Sequence, residues 1–200
     1  IYGIVDSLRV EGSSSFEAYC YPSNIPPHIR KTVNQVTEKI VTATGLNDTT
    51  FNIEFFYDES TGQVSLLEFN ARHSQAHADM FYKVDGVPNH GPIVDIISGN
   101  RPHFPCEKGK YTCAGHFFIR HFESGKVVKV PTEADIKLVK EEFPDTRVEI
   151  NVSQGQDLSG LLYQDSYSFN LANVHIGARD REKLVDKFQR IKELLPFQIE

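Results

Sequence analysis

Two carboxylates, an amide and a guanidinium fall within two short apolar runs of this chain. The first run is Phe51-Asn52-Ile53-Glu54-Phe55-Phe56-Tyr57 and the second is Leu66-Leu67-Glu68-Phe69-Asn70-Ala71-Arg72. Between them, Asp58-Glu59-Ser60-Thr61-Gly62 has the composition of a turn. Side chains alternate faces along a strand, so Glu68, Asn70 and Arg72 share a face. A turn centred on Thr61 places Glu54 directly across from Glu68. Like charges in a cross-strand pair repel, and flanking Phe and Leu side chains reduce their solvation. A hard divalent cation offsets that repulsion. Mg²⁺ takes six oxygen ligands, usually one or two carboxylates with waters and substrate phosphates. Two carboxylates and an amide oxygen therefore suit one or two Mg²⁺ ions holding a polyphosphate. Arg72 would hold a phosphoryl or carboxylate oxygen. A pairing shifted by one residue would put the two glutamates on opposite faces and leave ordinary solvent-facing groups.

The elements that position these residues are mixed α and β. Strands are expected over Ile1 to Val10 and Ser15 to Tyr21, separated by Glu11-Gly12-Ser13. Pro26-Pro27 opens a helix whose apolar face is Ile29, Val33, Val36 and Ile40, and Gly45 closes it. The acidic hairpin follows, then helical stretches over Ser74 to Lys83 and Pro92 to Ser98. The Pro- and Gly-bearing segment from Asn100 to Gly109 suggests a boundary between residues 1–100 and 101–200. Beyond it, Cys113 to His121 and Lys126 to Val130 are expected to form a hairpin around Ser124-Gly125. Thr132 with Asp135 resembles a capping box for a helix ending near Pro144. Two more strands, Arg147 to Val152 and Phe169 to Ile176, precede a last helix. That helix has Asp180 as its cap and Leu184, Phe188, Ile191 and Leu195 on one face.

Composition excludes several classes. The chain has 200 residues, 40% of them hydrophobic, enough for a real core. No apolar run approaches the ~20 residues that span a bilayer, so no membrane is expected as a partner. With 21 basic and 27 acidic residues the net charge is −6, and the basic residues are scattered or interleaved with acids. Nucleic acid is therefore not an expected partner. Three cysteines without a CxxC pair fit neither a disulfide framework nor a zinc ribbon, which points to a cytoplasmic protein. His73 and His77 have the spacing of a zinc pair on a helix, but no third ligand stands at motif spacing. Met80 is the only methionine and the chain starts at Ile1, so a processed chain or a piece of a longer one is expected.

The two acidic strands resemble the signature of the ATP-grasp superfamily. The resemblance extends back through Tyr21-Pro22-Ser23, the helix from Pro26 and Thr44-Gly45-Leu46, an order similar to that of biotin carboxylases and carboxylate–amine ligases. It extends forward to Val94-Asp95 and Gly99-Asn100-Arg101-Pro102. It covers roughly the first half of the chain and rests only on element order in the second. The implied fold class is α+β: the second ATP-grasp subdomain, an antiparallel sheet flanked by helices, plus a small C-terminal α+β lobe. The implied activity is ligation with ATP and Mg²⁺ (or Mn²⁺), a carboxylate being activated as an acyl phosphate and an amine then displacing phosphate. By position, Glu54 and Glu68 would hold the metal, with Glu68 bridging two ions and Asn70 holding the second. Arg72 would steady the transferring phosphate, and Phe56 and Leu67 would line the adenine pocket. The implied substrates are a small carboxylate and an amine.

The sequence departs from the pattern at one position. Biotin carboxylases continue the strand with Gln-Val-Glu-His, where the Glu deprotonates bicarbonate; here the stretch is Ser74-Gln75-Ala76-His77. Ala76 favours an amino-acid type ligase over bicarbonate chemistry. A biotin carboxylase-like or carbamoyl-phosphate-type enzyme, and a non-catalytic ATP-grasp-derived binding module, are the alternatives. The glycine-rich loop and lysines that cover ATP in this superfamily come before these residues. They are expected in an N-terminal half of the same protein.

Overall fold

A computed structural model describes residues 1–161, 165 and 167–200. The chain order is β1 (Asp6–Arg9), β2 (Phe16–Tyr21), α1 (Pro27–Thr44), β3 (Asn52–Asp58), β4 (Gln63–Asn70), a 3₁₀ turn (Gln75–His77), α2 (Ala78–Asp85) and α3 (His90–Ile97). Then come β5 (Cys113–His121), β6 (Val127–Lys129), α4 (Glu133–Glu142), β7 (Arg147–Ile150), a second 3₁₀ turn (Leu158–Gly160), β8 (Phe169–Ala178), α5 (Arg181–Leu194) and β9 (Gln198–Ile199). The class is α+β, as expected.

A five-stranded sheet in the order β1-β2-β5-β8-β7 forms the centre, and every neighbouring pair in it is antiparallel. It takes strands from both sides of residue 100, so a division there does not coincide with a division between sheets. Alternation along the strands gives the sheet two unlike faces. Phe117, Ile119, Val174 and Ile176 join Leu184, Phe188 and Ile191 of α5 and Val139 of α4 in the main core. Phe117 and Phe188 stack there with ring centroids 4.4 Å apart. On the other face α2 supplies Met80, Phe81 and Val84 to a second cluster with Tyr21 and Ala114.

Local chemistry sets the ends of the helices. Pro27 begins α1, and Gly45 closes it at φ 65 with its N–H on the Val41 carbonyl. The buried stripe of α1 is Ile29, Val33 and Thr37. Val36 and Ile40, expected on the same face, are only partly buried. Thr132 and Asp135 form the reciprocal capping box of α4, the Asp135 carboxylate accepting from Thr132 N at 2.8 Å. The Asp180 side chain caps α5 by accepting from Lys183 N at 2.7 Å.

Two expectations fail for non-local reasons. The segment Lys126 to Val130 does not fold back on β5, because β2 and β8 already occupy both edges of β5; β6 pairs instead with β9 at the end of the chain. The first strand is also shorter than expected. Residues before Asp6 leave the ladder and lie along α2, where Tyr2 stacks on Phe81 at 4.5 Å. Gly3 permits that approach, since a Cβ there would stand 2.7 Å from both Phe81 and Tyr21. Asp6 then ties the front of the chain to its last helix by accepting from Arg181 at 2.8 Å and from Asn24 N at 3.0 Å.

Candidate active site

The acidic hairpin is a separate two-stranded sheet of β3 and β4. Its turn is made by Asp58, whose carboxylate accepts from Ser60 N at 2.9 Å, and by Gly62, which takes the left-handed conformation at φ 70. Near the open end Glu54 pairs with Glu68 and Asn52 with Asn70. By alternation these four oxygen-bearing side chains form a square on one face. The register shifts by one residue between Glu54 and Phe55, leaving Leu67 without a partner opposite it. On the turn side Phe55 pairs with Leu66 and Asp58 with Gln63, a register that by itself would set Glu54 opposite Leu67; the shift is what brings the two glutamates opposite each other. Sequence reading missed Asn52, which the same alternation places beside Glu54.

Among the described residues, neither Glu54 nor Glu68 has an ion-pair or side-chain hydrogen-bond partner. Two opposed carboxylates are thus left without a protein cation, next to two amides that offer oxygen. That donor set fits a hard divalent cation. No cluster of three or more His, Cys, Asp or Glu side chains suited to a metal occurs among the described residues, so a cation here would rely on the amides, water or phosphate for its remaining ligands. Arg72 follows the strand and is exposed, its N–H on the Asn70 carbonyl at 2.8 Å. Its guanidinium has only a long contact, 3.4 Å, to the His73 carbonyl. Phe56 and Leu67 are half-exposed at 52% and 51%, and Leu66 joins them at 52%.

The hairpin approaches the central sheet at Arg9, the last residue of β1. The guanidinium of Arg9 lies 4.7 Å from the Phe16 ring centre and 6.0 Å from that of Phe56. Burial raises the pKa of the Tyr19 hydroxyl above its ordinary value, and the negative charge of Glu54 adds to the effect. Tyr19, His116 and His175 form a row across β2, β5 and β8, each residue paired with the next. His116 and His175 stack with centroids 4.1 Å apart. His77, in the 3₁₀ turn after Arg72, meets the Tyr19 ring edge-on at 5.1 Å. Burial lowers the pKa of all three imidazoles. His77 reaches about 4, with the nearby His116 as the second cause. Further along the same face, Arg120 donates to Asp165 at 2.8 Å and to Ser168 Oγ at 2.9 Å.

Sequence reading took His116 to His121 for a buried strand with polar ends, and β5 is buried along most of its length. The available signal was the alternation of His116 and Arg120 on β5 with Asn173 and His175 on β8. Only the pairing of β5 with β8 turns that alternation into one polar surface. His73 and His77 do not converge. His73 faces His90 at 5.0 Å, while His77 turns to Tyr19.

No protein-family model matches the chain, and no curated protein matches it significantly by sequence. Solved structures do. An L-amino acid ligase from Bacillus licheniformis superposes over 100% of this chain and 48% of its own, with TM-score 0.74 and 15% identity. Phosphoribosylglycinamide synthetase from Anaerococcus prevotii covers 98% of this chain and 48% of its own, with TM-score 0.70 and 12% identity. The biotin carboxylase domain of the Hydrogenobacter thermophilus 2-oxoglutarate carboxylase, solved with MgADP, ADP and bicarbonate, covers 93% and 40%, with TM-score 0.60 and 18% identity. The chain thus spans about half the length of the structures it resembles. These neighbours are ATP-grasp enzymes, and at such identities the likeness speaks for the fold. The chain shares its fold with about half of each of these ATP-grasp enzymes.

Proposed function

We propose that this chain is the metal- and nucleotide-binding part of an ATP-dependent ligase. It joins a small carboxylate, of amino-acid type, to an amine through an acyl phosphate. The observation that carries the reading is the opposed, unneutralised pair Glu54 and Glu68 with Asn70 beside it, on a hairpin within an ATP-grasp fold. Glu54 and Glu68 hold Mg²⁺ or Mn²⁺, and Asn70 completes the set. When bound, the metal neutralises charge on the ATP phosphates. Phe56 and Leu67 receive the adenine ring on their exposed apolar surface. Arg72, unpaired with any carboxylate among the described residues, orients the transferring phosphoryl group and then the acyl phosphate. Phosphoryl transfer asks mainly for such positioning and charge neutralisation, not covalent protein chemistry. The lobe that closes over the phosphates is supplied by an N-terminal half of the same protein.

The test is ADP release by the complete protein with Mg²⁺ and a panel of L-amino acids supplied as carboxylate and amine. Metal-dependent turnover that needs amino acids, with an amide product seen by mass spectrometry, supports the proposal. Turnover driven by bicarbonate alone would replace it with the carboxylase reading. Absence of Mg·ATP turnover with any acceptor would leave a non-catalytic binding module.

A further inference from the structure

The end of α4, the turn into β7, Gly177 of β8 and Lys187 of α5 line a cavity of about 250 Å³, with Tyr111 as a further wall. The hairpin approaches the central sheet at β1, one edge, whereas this cavity lies toward β7, the other edge. Gly177 makes room for the Tyr111 ring, since a Cβ there would stand 2.3 Å from it. The Lys187 Nζ is 5.4 Å from the centre of the Tyr111 ring and 5.8 Å from that of Phe143.

The charges on the wall favour one kind of ligand. Asp145 accepts from Lys110 Nζ and from the Tyr111 hydroxyl. Glu142 accepts from Arg190 Nε at 3.2 Å. Both carboxylates of the wall are thus answered by cations that do not line the cavity. The Lys187 ammonium is not answered in this way. It donates to the Gly177 carbonyl at 2.8 Å and has no ion pair among the described residues, so its charge and its remaining N–H groups are left over. Burial is the main cause that lowers its pKa, so the charged form gains from a counter-ion.

We propose that this cavity binds a small monocarboxylate with a flat apolar body, the carboxylate on Lys187 and the body against Tyr111 and Phe143. One ammonium answers one negative charge, and a phosphate dianion would bring a second charge toward Asp145 and Glu142. The aromatic walls pack well against another ring in offset or edge-on contact. The cavity is smaller than the roughly 300 Å³ at which drug-sized sites begin, which suits a ligand of a single ring. The assignment does not depend on the ligase reading above.

The complete protein is titrated by calorimetry with benzoate, benzamide and inorganic phosphate. Benzoate should bind. Benzamide, with the same ring and no charge, should bind at least about tenfold more weakly, the scale of a charge-assisted hydrogen bond. Lys187→Met keeps an apolar stem, removes the charge and should weaken benzoate by a similar factor, while Lys187→Arg should retain most of the affinity. Arg72→Ala should leave benzoate binding unchanged, which separates this cavity from the candidate active site. No benzoate binding to wild type overturns the proposal, as does benzamide binding equally well or phosphate binding more tightly. Wild-type affinity in Lys187→Met, or loss of binding in Arg72→Ala, overturns it too. The comparison of benzoate with benzamide uses wild-type protein, so it decides the matter even if Lys187→Met fails to fold.

Discussion

Glu68 sits opposite Glu54 in the ladder, exposed, and contributes no packing. Glu68→Gln keeps the shape of the side chain and removes its charge. In the complete protein it should lower ATP turnover by at least about 10²-fold, the scale seen when one electrostatic stabiliser is lost. Its urea midpoint should stay at or above that of wild type, because a like-charge pair is relieved. Wild-type turnover in this variant rules out the metal assignment. The buried histidines behave oppositely, since burial favours their neutral form. The unfolded chain protonates them near 6.5, whereas folded His77 holds out to about 4, and His116 and His175 are lowered as well. Between those values the unfolded state binds more protons, so stability rises with pH. The stabilisation is complete above about pH 6.5 and is lost as pH falls toward 4. Urea denaturation at pH 7.0 and at about pH 5 should show a lower midpoint in acid. A flat midpoint across that window contradicts the buried, neutral state of these rings.

Among the elements, α4 owes its start to a local signal that the sequence displays. Thr132 and Asp135 exchange hydrogen bonds across the first turn, and only Val139 of this helix is fully buried. A helix with one buried anchor depends on its cap more than a helix with a full apolar stripe. Thr132→Ala should cost about 1 kcal/mol in urea unfolding, within the usual range for a lost N-cap. A change indistinguishable from zero would mean that packing against α5 alone sets this end. The acidic hairpin is the other element legible from sequence. Its turn is chemically marked by Asp58 and Gly62, and a short turn fixes the register from Asp58 opposite Gln63 to Phe55 opposite Leu66; the opposition of Glu54 and Glu68 needs the one-residue shift as well. The one-residue shift at Leu67 was not legible, because a bulge depends on strand twist and on what packs against each face.

At the scale of the whole molecule, the proposed nucleotide site is only partly built from this chain, which covers 48% of the L-amino acid ligase it resembles. This chain expressed alone should bind Mg·ATP weakly, with no saturable heat below the millimolar range in calorimetry. Half a cleft buries too little of a nucleotide to offset the entropy of fixing it. Micromolar binding would show that the hairpin and sheet suffice as a site.

What the amino-acid sequence determined by itself is local. It marked the caps at Thr132 and Asp180, the proline that opens α1 and the turn at Asp58. Each of these depends on a few neighbouring residues and on the fixed periods of helix and strand. Only the tertiary structure decided that β2, β5 and β8 lie side by side, that β6 leaves β5 for β9, and that Tyr19, His116 and His175 form a row with His77 against it. Strand order in an antiparallel sheet is chosen by competition among distant edges for partners and by which faces bury the most apolar surface. That competition is settled over the whole chain, so no local stretch of sequence records its outcome.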